Sequence, residues 1–184
     1  MSPRLILASR SPQRRAILEQ LGVDFSVAVP EVEELAEGPP EQVVVENARR
    51  KASAVTGGEE TVLGVDTVVA LDGRIYGKPA DRAEARRTLE ALSGHRHDVV
   101  SGICLVRSDG AEQTAIASTA VQFRVLDEPL LEWYLGCEEW RERAGGYAIQ
   151  GRGAALVREI EGDYLNVVGL PVAKLLELAP GILH

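Results

Sequence analysis

TVLGVDTVVALDGRIYGKP, Thr61 to Pro79, is the stretch that decides the fold class. Val62 to Leu71 is an apolar run of strand length, interrupted once, at Asp66. Asp72-Gly73 follows as a turn dipeptide, because both residues tolerate the positive φ that a tight turn needs. A short return segment then leads into Gly77-Lys78-Pro79. A strand that doubles back breaks the strict strand–helix–strand alternation of a purely parallel sheet.

The flanking segments extend this pattern. Leu5–Ala8 reads as a buried strand, and Ser11 with Pro12 reads as an N-cap and first helical position of a helix Pro12–Leu21. Phe25–Val29 is a strand, Pro30–Glu41 an acidic loop, and Glu41–Val55 a helix. Asp81 with Glu84 forms a capping box opening the helix Arg82–Leu92. HDVVSGICLVRSDG and EQTAIASTAVQFRVL predict a hairpin around Asp109-Gly110, and Asp127 starts a helix reaching about Leu135. AGGYAIQGRGA is a glycine-rich loop. ALVREIEGDYLNVVGLP predicts a second hairpin turning at Gly162-Asp163, and Val172–Leu178 is the last helix. The expectation is a mixed-sheet α/β protein, neither Rossmann nor barrel, in one domain over residues 1–184.

Composition narrows the function. Hydrophobic residues make up 45% of the 184, enough for a core, and with aromatics at 4% that core must be aliphatic. A formal net charge of −8 argues against a general nucleic-acid or anionic-membrane binder, since phosphate backbones require a broad basic face. Cys104 and Cys137 form neither a metal-spaced pair nor a disulfide framework, and no apolar run approaches a membrane span. The expected location is the cytoplasm.

Several residues stand out as chemistry-bearing. Arg10, Arg14 and Arg15 crowd the N-terminus of the first helix, where the dipole disfavours cations. The strand–Ser9-x-Ser11-Pro–helix turn offers free N–H groups and two hydroxyls, a cradle for an anion. Arg14 beside it makes sense if a phosphate outweighs the dipole; in that reading its removal weakens binding and leaves stability unchanged or slightly raised. Arg15 is expected to extend into solvent. Asp66, a carboxylate within an apolar strand, reads as a metal ligand or a general base for water, with Thr67 next to it able to bond a ligand. Lys78 in its Gly-Lys-Pro loop and Lys51 in NARRKASA could each reach a triphosphate. Glu31, Glu33 and Glu34 offer a carboxylate for Mg²⁺, which prefers few carboxylates plus phosphate oxygens. Gln150 carries an amide able to pair with both donor and acceptor on a pyrimidine edge. His95 and His97, without cysteines nearby, make a poor zinc site.

Taken in order, LASRSPQRRAIL, LGVDTVV, GKPAD, LSGHRHDVVSG, AGGYAIQGRGA and VVGLP resemble the Maf family of nucleoside triphosphate pyrophosphatases, the septum-formation proteins, over nearly the whole chain. The resemblance implies an inosine-triphosphatase-type mixed sheet with two lobes flanking a cleft. It also implies Mg²⁺- or Mn²⁺-dependent cleavage of a nucleoside triphosphate to monophosphate and pyrophosphate, and a homodimer. By the same resemblance Asp66 falls on the family's proton acceptor, Ser9, Ser11 and Arg14 on the phosphate-binding turn, and Glu34 near the metal. Lys51 and Lys78 fall on active-site lysines, and Thr67 and Gln150 on specificity positions of the subfamily acting on dTTP and UTP. Where the family usually has Ser-Pro-Arg-Arg this chain has Ser-Pro-Gln-Arg-Arg, so Gln13 takes a position tied to substrate choice, and Arg10 or Arg15 is left to supply the missing charge. The alternatives are a 7-methyl-GTP or other modified-nucleotide pyrophosphatase, and a non-enzymatic nucleotide-binding regulator of division. Asp66 as base and Asp66 as metal ligand both stay open.

Overall fold

The computed structural model describes residues 5–55 and 58–183; the expected domain, 1–184, includes residues outside these. Its centre is a mixed seven-stranded sheet. The strands are β1 (Leu5–Ala8), β2 (Phe25–Ala28), β3 (Thr61–Leu71), β4 (Arg74–Tyr76), β5 (Arg96–Val106), β6 (Glu112–Phe123) and β7 (Val157–Glu161). They lie in the order β2-β1-β3-β5-β6-β7, with β4 also on β3. β1 runs parallel to β2 and β3, and every other pairing is antiparallel. The mixed α/β expectation therefore holds, and the doubling back at Asp72-Gly73 supplies one of the antiparallel pairings.

The helices are α1 (Pro12–Gln20), α2 (Pro40–Ser53), α3 (Arg82–Leu92), α4 (Glu128–Gly136), α5 (Tyr164–Val168) and α6 (Val172–Leu178). Asp81 caps α3 by accepting from Glu84 N, while the Glu84 carboxylate takes the N–H of Ala80, one residue earlier than a strict capping box. The second expected hairpin is not formed. β7 pairs with β6 alone, and Asp163 instead caps α5, its Oδ1 accepting from Leu165 N at 2.8 Å. A turn dipeptide before Leu and Val residues looks the same from sequence whether a strand or a capped helix follows.

Two features of the sheet position everything functional. β5 covers one edge of β3 from Val62 to Ala70. The other edge is shared: β1 pairs with Thr61–Gly64 and β4 with Val69–Leu71. Between them, residues 65–68 have no strand partner on that side, so the sheet opens there. The second feature is the approach of α2. Gly64, Asp66 and Gly102 share one face, because Gly64 and Asp66 are two apart and Gly102 pairs with Asp66. A Cβ on Gly64 would meet Ala48 O at 2.1 Å, and one on Gly102 would meet Val44 O at 2.6 Å. The two glycines let the α2 backbone lie almost against the strands.

The two largest apolar clusters lie on either side of this opening. One gathers Leu5, Leu7, Ile17, Leu63 and Leu175 around β1, α1 and α6. The other gathers Leu89, Phe123, Tyr134, Trp140 and Leu156 around α3, α4 and β6. No described helix is long and apolar enough to cross a membrane.

Candidate active site

A cleft of about 760 Å³ sits at the opening in the sheet. Asp66 and Thr67 are adjacent in β3 and so project from opposite faces, and the unpaired edge lets both line the cleft.

On the Asp66 side the partners come from α2. Its buried stripe, Val43, Val44, Asn47, Ala48, Lys51 and Ala52, is apolar except for two polar residues one turn apart. Lys51 Nζ donates to Asp66 Oδ1 at 2.7 Å and meets Glu34 Oε2 at 3.0 Å. Asn47 Nδ2 donates to Asp66 Oδ2 at 2.9 Å, so each carboxylate oxygen has a donor. Asn47 also holds the acidic loop: its Oδ1 accepts from Leu35 N at 2.7 Å and its Nδ2 donates to Leu35 O at 3.0 Å. One asparagine thereby fixes the carboxylate and places Glu34 beside it. Asp66 and Lys51 are buried, while Glu34 is half exposed, so this charge cluster is dry at its base and open at its mouth.

On the Thr67 side the partner is Arg14, and here the sequence expectation needs correction. Arg14 is buried and its guanidinium is spent on the protein. Nε donates to Gly169 O at 2.8 Å, one terminal nitrogen donates to Ser9 Oγ at 3.0 Å and Val65 O at 2.9 Å, and the other donates to Thr67 Oγ1 at 3.1 Å. Val65 O is the carbonyl left unpaired by the gap between β1 and β4. Burial lowers the Arg14 pKa, with the charges of Asp66 and Glu34 opposing that shift. An arginine that satisfies four acceptors in the free protein argues against the expectation that its loss leaves stability unchanged. It lines the cleft but is first a brace.

The turn before α1 is similarly tied. Ser9 Oγ accepts the N–H of Ser11 at 3.2 Å; Ser11 Oγ caps Arg14 N at 3.4 Å and donates to Gln13 Oε1 at 3.0 Å. Arg15 extends into solvent as expected and pairs with Glu19 at 2.7 Å, outside the cleft. Arg10, in contrast, lines the cleft, so of the two arginines offered as replacement charge for Gln13 only Arg10 is placed for it. Thr67 Oγ1 lies 2.8 Å from Ser101 Oγ on β5.

The far wall comes from the β4–α3 loop and the segment after α4. Lys78 is exposed and pairs with Glu142 at 3.2 Å. Gly145 N donates to Gly77 O at 3.0 Å, docking one segment on the other. Gln150 also lines the cleft and is exposed. Tyr147 forms its floor and meets His97 Nε2 through its hydroxyl at 2.9 Å. His97 is buried and His95 exposed, so the two histidines form no joint site. Desolvation pushes the His97 pKa down to about 4.

The structure thus gathers Ser9, Ser11, Gln13, Arg14, Glu34, Lys51, Asp66, Thr67, Lys78 and Gln150 around one cleft. Sequence reasoning missed Asn47, Arg141 and Arg143. Asn47 carried a signal, since it lies four residues before Lys51 and shares its helix face. For a divalent cation, no group of three or more His, Cys, Asp or Glu gathers among the described residues. Asp66 and Glu34 do converge on one ammonium, however, and two carboxylates are the set Mg²⁺ takes when phosphates supply further oxygens. The donor set fits.

A dTTP/UTP pyrophosphatase of Anaeromyxobacter dehalogenans is 47% identical over 179 residues, covering 95% of this chain and 91% of its own. One from Symbiobacterium thermophilum is 48% identical, covering 95% and 92%, and one from Pyrococcus furiosus 45%, covering 95% and 93%. Among solved structures, a HAM1 protein from Coxiella burnetii has a TM-score of 0.47 at 20% identity, over 66% of this chain and 73% of that one. The family model described as Maf-like protein matches residues 4–181, and the chain belongs to that family.

Proposed function

We propose that this protein hydrolyses dTTP and UTP to the monophosphate and pyrophosphate. The observation that carries the reading is the placement of Asp66: a buried carboxylate at a break in the sheet, with both oxygens held by donors from α2 and cations on either side of it. That is the arrangement needed to orient a water against a phosphoanhydride. The relatives that match nearly end to end carry the name dTTP/UTP pyrophosphatase, which selects the substrate class.

In this reading the triphosphate enters the cleft with its charge toward Lys51, Lys78 and Arg10. Preorganised cations in a partly dry site stabilise charge on the departing pyrophosphate without reorganising at the moment of reaction. Asp66 orients the attacking water or accepts its proton, and Asn47 and Lys51 hold the carboxylate in place. Glu34 and Asp66 would hold Mg²⁺ or Mn²⁺, which supplies charge neutralisation at the phosphates. Thr67, Gln13 and Gln150 face the cleft with groups that both donate and accept, as discrimination of a pyrimidine edge requires. A cytoplasmic homodimer accompanies this reading.

The test is a panel of nucleoside triphosphates with released pyrophosphate measured, with and without a chelator. Turnover concentrated on dTTP and UTP and abolished by chelation supports the proposal. Release of orthophosphate with dTDP or UDP would overturn the bond assignment, and preference for 7-methyl-GTP would overturn the substrate.

A further inference from the structure

Six cationic side chains line the cleft: Arg10, Arg14, Lys51, Lys78, Arg141 and Arg143. Four of them are already committed to protein groups. Arg14 serves Gly169, Ser9, Val65 and Thr67. Lys51 serves Asp66 and Glu34, and Lys78 meets Glu142. Arg141 pairs with Glu138 at 2.9 Å and lies 4.5 Å over the Trp140 ring. The side chains of Arg10 and Arg143 have no hydrogen bond or ion pair among the described residues. Arg10 is exposed, so water satisfies it. Arg143 is different: it is half-buried, and its Nε is fully buried with no acceptor.

The covered Nε is out of a ligand's reach, but a half-buried guanidinium that lines a cleft without an ion-pair partner still offers its terminal nitrogens to an anion. The local backbone holds Arg143 in place. Its N–H donates toward Trp140 O at 3.4 Å, and its carbonyl accepts from Gly146 N at 3.0 Å. Gly145 is in turn anchored on Gly77, next to Lys78. Glu142, immediately before it, sits in the left-handed region at φ 56, uncommon for a residue with a side chain, and reaches out to Lys78. The segment is therefore fixed so that Glu142 and Arg143 go to separate tasks.

We infer that Arg143 is a further substrate-binding residue, which takes a phosphate oxygen of the nucleotide through the terminal nitrogens of its guanidinium. The inference rests on the triphosphate reading of the cleft. A planar guanidinium forms charge-assisted bonds to phosphate oxygens, and no described residue holds the terminal nitrogens of Arg143. Recognition of the base does not involve it.

The test compares wild type, Arg143→Met and Arg143→Lys in titration calorimetry, with inorganic tripolyphosphate and with uridine as separate probes, and in thermal melting. Arg143→Met is expected to weaken tripolyphosphate binding roughly 10–100-fold while leaving uridine binding and the melting temperature near wild type. Arg143→Lys is expected to recover part of the loss, and the salt dependence of tripolyphosphate binding should be shallower in the methionine variant. Unchanged tripolyphosphate affinity in Arg143→Met overturns the inference. So does a parallel loss of melting temperature and of both probes that lysine does not rescue, and so does a wild type that fails to bind tripolyphosphate. A wild type that binds tripolyphosphate but releases no pyrophosphate from dTTP or UTP overturns the functional reading instead.

Discussion

Asp66 and Arg14 occupy the two faces of the same break in β3, and they respond differently to substitution. Asp66→Asn keeps the shape and one acceptor oxygen but removes the charge. Turnover should fall by roughly 10²–10⁴-fold, measured as pyrophosphate release, with Lys51 still held by Glu34 and the circular dichroism spectrum unchanged. Arg14→Ala strips donors from Val65 O and Gly169 O, both inside the protein, and should destabilise by about 2–4 kcal/mol in denaturant unfolding as well as abolishing activity. A normal unfolding midpoint for that variant would show that the brace is dispensable. Asp66 was legible as chemistry because a carboxylate in an apolar strand is rare, whereas Lys51 and Glu34, set among other charges, were singled out by the family resemblance. The role of Arg14 was not legible, because two of its four acceptors are backbone carbonyls, and a sequence does not show which carbonyls a sheet leaves unpaired. Arg143 was hidden for a related reason: its distinguishing property is a partner it lacks.

The contact between α2 and the sheet sets the distance over which Asn47 and Lys51 reach Asp66. Gly102→Ala inserts a methyl where Val44 O already stands, so α2 must move outward. Both melting temperature and kcat/KM should fall, the latter even when assayed well below the transition. Gly136→Ala is the counterpart. That glycine lies within α4 with nothing near its would-be Cβ, and alanine there should stabilise by about 0.4–1 kcal/mol without changing activity. Most element boundaries were readable, and Leu5–Ala8, Arg82–Leu92 and Val172–Leu178 fall where periodicity and caps put them. The segment after Glu161 was misread because Asp163 serves equally as a turn residue and as an N-cap; what decides is Asn166, buried and donating to Val99 O and Thr119 Oγ1, a tertiary contact with no local signature.

For the molecule as a whole, pH acts first through His97. The folded protein holds this ring neutral, with its pKa down at about 4, whereas the unfolded chain protonates it near 6.5. Between those values the unfolded state binds more protons. Stability is therefore complete above about pH 6.5 and is lost progressively as pH falls toward 4, by roughly 3 kcal/mol in all. His97→Gln cannot titrate and should flatten the unfolding free energy across that window; a slope identical to wild type would place the pH sensitivity elsewhere. The exposed carboxylates Glu128, Glu138 and Glu161, hydrogen-bonded by Arg86, Arg141 and Arg96, are held below their usual range and so act at lower pH. The brace at Arg14 has a consequence in time. Its two backbone acceptors lie 51 and 155 residues further along the chain. At about 5–20 residues synthesised per second, the carbonyl of Gly169 reaches the ribosome exit roughly 8–30 s after Arg14 does. Through that interval the guanidinium keeps its water, and the first helix has no final seat on the sheet. The cleft wall that Arg14 braces is incomplete until that single backbone oxygen arrives.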